Sequence, residues 1–224
     1  MQNDVTNYYD NIAESYDTSR FDNSYGRFIH AQEGVFLRKK LKKYAPKKVF
    51  SIGCGTGRFM EFAEIGIDIS EKMLQEAKQK YPTKAFLQAD ATATNLPENS
   101  FDFAFSLHVL MHLKLETIAN ILTETARISN PDAIFVVDFP SKNRRDFFSK
   151  KQNTWHGATA FTPKDFEKIA QKNWQLIDCQ GVLFLPIHRF PVFLRKYLLK
   201  LDTLLCRSFL KKYASYMLIV LKKK

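Results

Sequence analysis

The sharpest chemical signal is a backbone one. VFSIGCGTG, Val49 to Gly57, runs a hydrophobic strand straight into Gly53-Cys54-Gly55-Thr56-Gly57. Glycine lets the chain turn sharply and approach a ligand with no Cβ in the way, and a helix opening after such a turn would aim free N–H groups at that ligand. The glycines fall at 53, 55 and 57, which is G-x-G-x-G. A pyrophosphate fingerprint needs G-x-G-x-x-G, so the third glycine comes one residue early and a nucleotide-dependent oxidoreductase is disfavoured. Farther along, Ser106, Leu107, His108 and His112 stand where a fourth strand ends. Ligands of open α/β sheets bind beyond the carboxyl ends of strands, and histidine titrates in the useful range. His108 is the first candidate for a substrate-side base or orienting group, while His112 serves equally well as a structural residue.

These groups need a scaffold. Strand signals at 48–53, 65–69, 85–89, 101–106 and 133–137 alternate with helical patterns at 70–80 and 117–128, as in a parallel sheet with covering helices. Ser70 reads as an N-cap, with Met73, Leu74 and Ala77 on one helical face. Thr162 caps a helix with Pro163 at its first position. Strands at 174–185 and 213–221 then flank an amphipathic segment, Phe190 to Leu210, and can still pair at one sheet edge. Two helices, 5–16 and 25–44, precede the first strand, the second with Phe28, Ile29, Val35, Phe36 and Leu41 available for packing. Pro140 to Ala160 reads as one long irregular loop, whose Trp155 and His156 could line an acceptor pocket.

Six segments in order resemble the class I S-adenosylmethionine-dependent methyltransferases, specifically small-molecule enzymes of the ubiquinone-biosynthesis type. They are YYDNIAESYD (8–17), the glycine turn, GIDISEKML (66–74), QADATATNLP (88–97) and NSFDFAFSLHVLMHL (99–113), with ARISNPDAIFVVDF (126–139) at the fifth strand. The resemblance implies a doubly wound (Rossmann-like), mostly parallel seven-stranded α/β sheet with an antiparallel last strand. It implies a single domain: a helical lid at 1–45, a core at 46–185, a helical insertion at 186–212, then the last strand and a basic tail at 213–224. It also implies S-adenosylmethionine as cofactor. Asp68 would take the ribose hydroxyls, a carboxylate offering two acceptor oxygens, and Asp90 with Ala91 the adenine. Ser51, Gly53, Cys54, Gly55, Gly57, Ile69, Met73 and Ser106 would complete the cofactor site, with Tyr8, Tyr16 and Arg20 closing it. Plainer readings stand beside these: Asp68 as a cap beside Ser70, Asp90 as the start of a turn, Met73 as core.

Three departures stand out. Ser51 occupies the place of a usual acid. Asn130-Pro131-Asp132 lacks the usual glycine, and Asn130 is expected in the left-handed helix end instead. Only residues 58–64 separate the glycine turn from the second strand, roughly 10 Å of helix, where a parallel crossover usually takes about a dozen residues or more. Either a very short helix joins the strands or the strand limits are wrong; Glu61 or Glu64 is then the fallback ribose ligand.

Composition bounds the partners. Three scattered cysteines give neither a disulfide framework nor metal-ligand spacing, so no metal and a reducing, cytoplasmic compartment are expected. The polar opening carries no signal peptide, and no apolar run approaches the ~20 residues of a membrane span. The net charge is +11, and Pro191 to Lys224 holds nine Lys or Arg against Asp202 alone. Such a surface attracts nucleic acid, anionic lipid or acidic small molecules without choosing among them. The acceptor is expected to be a small or lipid-linked molecule. An RNA methyltransferase and a non-catalytic cofactor-binding protein are the alternatives. The first lacks the Asn/Asp-Pro-Pro-aromatic segment and the Pro-Cys pair of nucleic-acid enzymes. The 190–212 stripe is expected to pack on the sheet edge or over the acceptor pocket, with peripheral membrane contact as its second reading.

Overall fold

Alternating apolar side chains give the sheet two buried faces. Phe103, Phe105, Ile134, Val136, Leu218 and Val220 enter one core, while Ala104, Phe135, Val137, Ile219 and Leu221 enter the other. Strands covered on both sides have this continuous apolar character. The computed structural model describes residues 2–148 and 158–224, with side chains from Thr6 onward. Its strands are β1 (Val49–Ile52), β2 (Ile65–Asp68), β3 (Ala85–Gln88), β4 (Phe101–Ser106), β5 (Ser129–Pro140), β6 (Trp174–Val182) and β7 (Tyr216–Lys223). They lie in the order β3-β2-β1-β4-β5-β7-β6, with β7 antiparallel to both neighbours. The seven-stranded Rossmann-like sheet is therefore as expected, and strand order reverses between β1 and β4, where doubly wound sheets bind ligands.

Helices α1 (Gln2–Ile12), α2 (Tyr16–Arg20) and α3 (Ser24–Tyr44) precede the sheet; α4 (Glu71–Lys80) and α5 (Leu115–Ile128) lie between its strands. Ser70 Oγ accepts the Met73 N–H at 3.1 Å, and Met73, Leu74 and Ala77 are buried, as the sequence predicts. Thr162 likewise caps α7 (Pro163–Ala170). In α3, Phe28, Ile29 and Phe36 are buried, but Val35 faces solvent. The sixth strand stops at Val182, because Leu183 turns left-handed (φ 59°). Within the stretch expected to be irregular, α6 (Lys142–Phe147) forms behind the Ser141 cap. Trp155 and His156 lie outside the described residues.

The short crossover resolves in favour of the strand limits. A single 3₁₀ turn, Met60–Phe62, is its only helix, and Phe50 pairs with Ile65 in parallel. Four-residue strands explain this: the chain must return only about 13 Å at ~3.3 Å per residue. The face left bare is covered by α3. His30 stacks on Phe59 with ring centroids 4.5 Å apart, and Phe36 and Leu37 share a core with Phe59, Met60 and Ala63. Two expectations fall with the missing helix. No helix N-terminus follows the glycine turn, and the fallback ligands point elsewhere: Glu64 accepts the Val49 N–H at 2.6 Å, while Glu61 meets the Tyr81 hydroxyl. Asn130 is not left-handed either. That conformation belongs to Asp132 (φ 63°), and Asn130 instead donates to Asp102 at 2.8 Å.

The segment after β6 departs most from expectation. Helix α8 (Val192–Leu205) is followed by a 3₁₀ turn, Phe209–Tyr213. Leu198 and Leu199 pack against the core, but Phe193, Tyr197, Leu201 and Leu204 face solvent, whereas Asp202 is fully buried. Asp202 accepts from Gln32 Nε2 and the Leu185 N–H, each at 2.6 Å, and these bonds fix the helix's rotation. Among the described residues no helix is long and apolar enough to cross a membrane.

Candidate active site

A cavity of about 410 Å³ opens at the carboxyl ends of β1, β2 and β4, lined among others by Gly53, Gly55, Asp68, Asp90, His108 and His112. That volume lies in the ~300–1,000 Å³ range of small-molecule sites. Gly53, Gly55 and Gly57 all have positive φ, the left-handed region that favours glycine. Their surroundings differ. A Cβ on Gly53 would come within 2.4 Å of Val109, and one on Gly57 within 3.1 Å of Tyr81, but one on Gly55 would meet nothing within 4 Å. Gly55 is thus the position where bare backbone faces open space. Three of the turn's N–H groups are spent locally: Cys54 donates to the Ile67 carbonyl, Gly57 to the Cys54 carbonyl and Gly55 to Asp68 Oδ2 at 2.8 Å.

Asp68 ends β2 and does two things at once. Its Oδ1 accepts from the Ser70 N–H at 2.9 Å while Oδ2 holds Gly55; the cap of α4 is Ser70 itself, so Asp68 braces the cap residue and does not cap the helix. Each oxygen keeps a further lone pair, and the residue lines the cavity. Burial pushes its carboxyl above the ordinary range against the pull of these N–H groups, so hydroxyl donors from a ligand would favour its charged form. Asp90 closes a turn through Thr92, whose N–H and hydroxyl both lie 2.8 Å from Oδ1. The loop that follows is tied down by Glu124, which accepts from the Thr94 N–H and hydroxyl.

Ile69, Met73, Ala91 and Tyr16 also line the cavity, as does Tyr9. The N-terminal helices are tethered over it. Ser70 Oγ donates to Asp10 at 2.5 Å, Thr56 Oγ1 donates to Asp17 at 2.6 Å, and Lys80 pairs with Asp17. Tyr9 packs edge-on against Tyr16 and His112. The remaining expected residues stand behind the wall. Ser51, Cys54 and Ser106 are buried in the strand layer, and Cys54 packs beneath Gly66, whose Cβ would lie 2.8 Å from its sulfur. Gly57 packs on α4, and Arg20 donates to the Tyr8 hydroxyl at 3.2 Å behind the lining residue Tyr9.

His108 has the most unusual setting. Its backbone is left-handed (φ 61°), with its N–H donated to Asp138 Oδ1 at 2.6 Å. Its Nε2 lies 2.8 Å from Glu33 Oε1, its Nδ1 3.6 Å from Asp138 Oδ2, and Arg58 pairs with the other Glu33 oxygen. Burial acts most strongly on the imidazole and favours its neutral form, yet the charges of Glu33 and Asp138 prevail and raise its pKa. Burial likewise opposes ionisation of Glu33, but Arg58 and His108 outweigh it and hold the carboxyl down to about 2. Burial keeps Asp138 above the usual carboxylate range. Glu33, His108 and Asp138 each offer one atom within 4.8 Å of the others, the spacing of a cation site. Arg58 pairs with Glu33 there, and the imidazole lies between Glu33 and Asp138. Sequence reading finds His108 but misses Glu33, Arg58 and Asp138. Asp138 left one trace, a lone acid in the apolar run IFVVDF.

A family model described as a methyltransferase domain matches residues 50–137. The chain is 30% identical to an uncharacterized protein of Methanocaldococcus jannaschii, over 98% of this chain and 90% of that protein. It is 27% identical to a ubiquinone/menaquinone biosynthesis C-methyltransferase of Campylobacter jejuni, over 66% of this chain and 72% of the relative. Its fold resembles that of an S-adenosylmethionine-dependent methyltransferase from Thermotoga maritima, with a TM-score of 0.62, 20% identity and coverage of 92% and 97% of the two chains.

Proposed function

The chain belongs to the class I S-adenosylmethionine-dependent methyltransferases, and from that premise we propose that the cavity holds this cofactor beside a small-molecule acceptor. One observation carries the reading: open backbone at Gly55 and the carboxylates of Asp68 and Asp90, from the ends of separate strands, line a single cavity. When bound, the cofactor supplies an activated methyl group. Asp68 accepts from the ribose hydroxyls, Asp90 and the Ala91 N–H take the adenine edge, and the Gly53–Gly55 backbone faces the amino-acid end. Ile69 and Met73 give the apolar wall. Tyr9 and Tyr16 close over the site, with Arg20 steadying Tyr8. Ser51, Cys54, Gly57 and Ser106 support the wall from behind.

The side chains' main task is alignment, since displacement gains most from near-attack geometry. His108 fits a positioning role better than a base. Both its nitrogens face carboxylates, whose charges raise its pKa and favour the protonated ring over the free base. It ties α3 to the ends of β4 and β5 and thereby sets the cavity's shape. His112, beside Tyr9, remains the acceptor-side histidine. Calorimetry tests the cofactor reading directly. The demethylated product S-adenosylhomocysteine should bind with one site per chain and NAD should give no heat; absence of binding by the first, or binding of the second in its place, overturns it. Labelled-methyl transfer to lysate fractions of lipid, RNA, protein and small metabolites then identifies the acceptor class.

A further inference from the structure

Phe193, Tyr197, Leu201 and Leu204 follow one another at helical spacing along α8, and all four are exposed; Phe209, on the next turn, is 85% exposed. Residues three and four apart share a helix face, so this is one continuous apolar stripe turned to water. The helix cannot roll to hide it, because buried Asp202 is held by Gln32 and the backbone before α8. The stripe extends beyond the helix: Phe147, at the end of α6, lies 5.4 Å from the Tyr213 ring and, with Phe148, is exposed.

Charge identifies the occupant. Arg189, Lys196, Lys200, Arg207 and Lys212 are exposed around the stripe, and the only carboxylate between residues 189 and 213 is the buried Asp202. A second copy of the same face would bring like charges together. An anionic bilayer accepts both features, apolar side chains entering the interface and cations meeting headgroup phosphates. We propose that α8, the turn after it and the end of α6 form a docking face for an anionic lipid bilayer.

Its position gives the contact a use. The segment is rooted between Val182 and Tyr216, which pair with each other, and Tyr216 also pairs with Pro140 at the carboxyl end of β5. The docking face therefore stands at the same carboxyl end of the parallel strands as the cavity, and Tyr216 lies 5.2 Å from the His108 ring. Resting on the methyltransferase reading above, this arrangement favours an acceptor that partitions into the bilayer and enters from that side. Bilayer docking itself does not depend on that reading.

Co-sedimentation with phosphatidylcholine vesicles, and with vesicles in which about one third of the lipid is phosphatidylglycerol, tests the proposal. The full chain should pellet with the anionic vesicles, be released by salt, and partition at least ~10-fold less onto the neutral ones. The F193D/L204D double variant should stay in the supernatant while its melting temperature and S-adenosylhomocysteine affinity are unchanged, because both side chains are exposed and outside the cavity. Failure of the wild type to pellet, or pelleting of the double variant, overturns the proposal. So does a dimer in vesicle-free solution that the same double variant abolishes, since a second copy would then be the occupant. Vesicle binding without S-adenosylhomocysteine binding would sink the methyltransferase reading alone.

Discussion

The two ends of the sheet are built differently. β1, β2 and β3 are four residues long, and β3 is largely exposed, whereas β5, β6 and β7 run to 12, 9 and 8 residues, and β5 and β7 carry a dense apolar core. The first group buries Phe50, Ile52 and Ile67 as well, but braces the turn at its cavity with single polar contacts, Asp68 to Gly55 and Asp17 to Thr56. The second is held by burial, with Trp174, Phe135 and Phe139 in one cluster. The proposed binding site and the longest buried strands thus lie in different parts of one sheet, and substitutions should separate them.

The largest effect expected is Trp174→Ala. Its side chain is 1% exposed and donates to the Leu122 carbonyl at 2.9 Å, so the loss should be about 3–5 kcal/mol, read as a fall in urea midpoint. S-adenosylhomocysteine affinity should be unchanged while the protein remains folded, and a parallel loss of affinity would mean the two regions are not separate. Glu33→Gln comes next, toward the lower end of the ~3–5 kcal/mol for breaking a buried ion pair, because Asp138 still faces His108. Its signature is in pH. The His108 pKa is raised from 6.5, so the stability it gives is complete below that value and is lost as pH rises through the folded value. Urea midpoints taken across this range should fall in the wild type and stay flatter in Glu33→Gln; identical slopes would remove the coupling. Asp68→Ala should cost ~100-fold in S-adenosylhomocysteine affinity, about 2.7 kcal/mol, with a smaller effect on stability. Calorimetry beside thermal unfolding would show whether binding or folding suffers more.

Sequence made the first region more legible than the second. Gly55, Asp68 and Asp90 sit in short runs where strand, turn and charge are adjacent, so local pattern carries them. The cluster around His108 gathers residues 33, 58, 108 and 138 from separate elements, and no local pattern marks Glu33 or Arg58. In α8 the spacing marks the apolar residues but not which of them turn inward with Leu198 and which face out with Phe193 and Tyr197, because periodicity is the same either way. Asp202, the single acid in that basic stretch, is the residue whose burial decides the matter. The crossover of 58–64 contradicted a length rule because that rule assumes longer strands.

That abbreviated link has a consequence for the beginning of the polypeptide. Where a helix after β1 would shield Val49, Phe103 and Phe105, these residues are instead sealed by α3, which comes earlier in the chain. A truncated chain starting at Val49 would keep every strand and the glycine turn yet leave one side of its β-layer open to water. The N-terminal segment is therefore inseparable from folding, and shuffling it between relatives would require matching the surface it plugs.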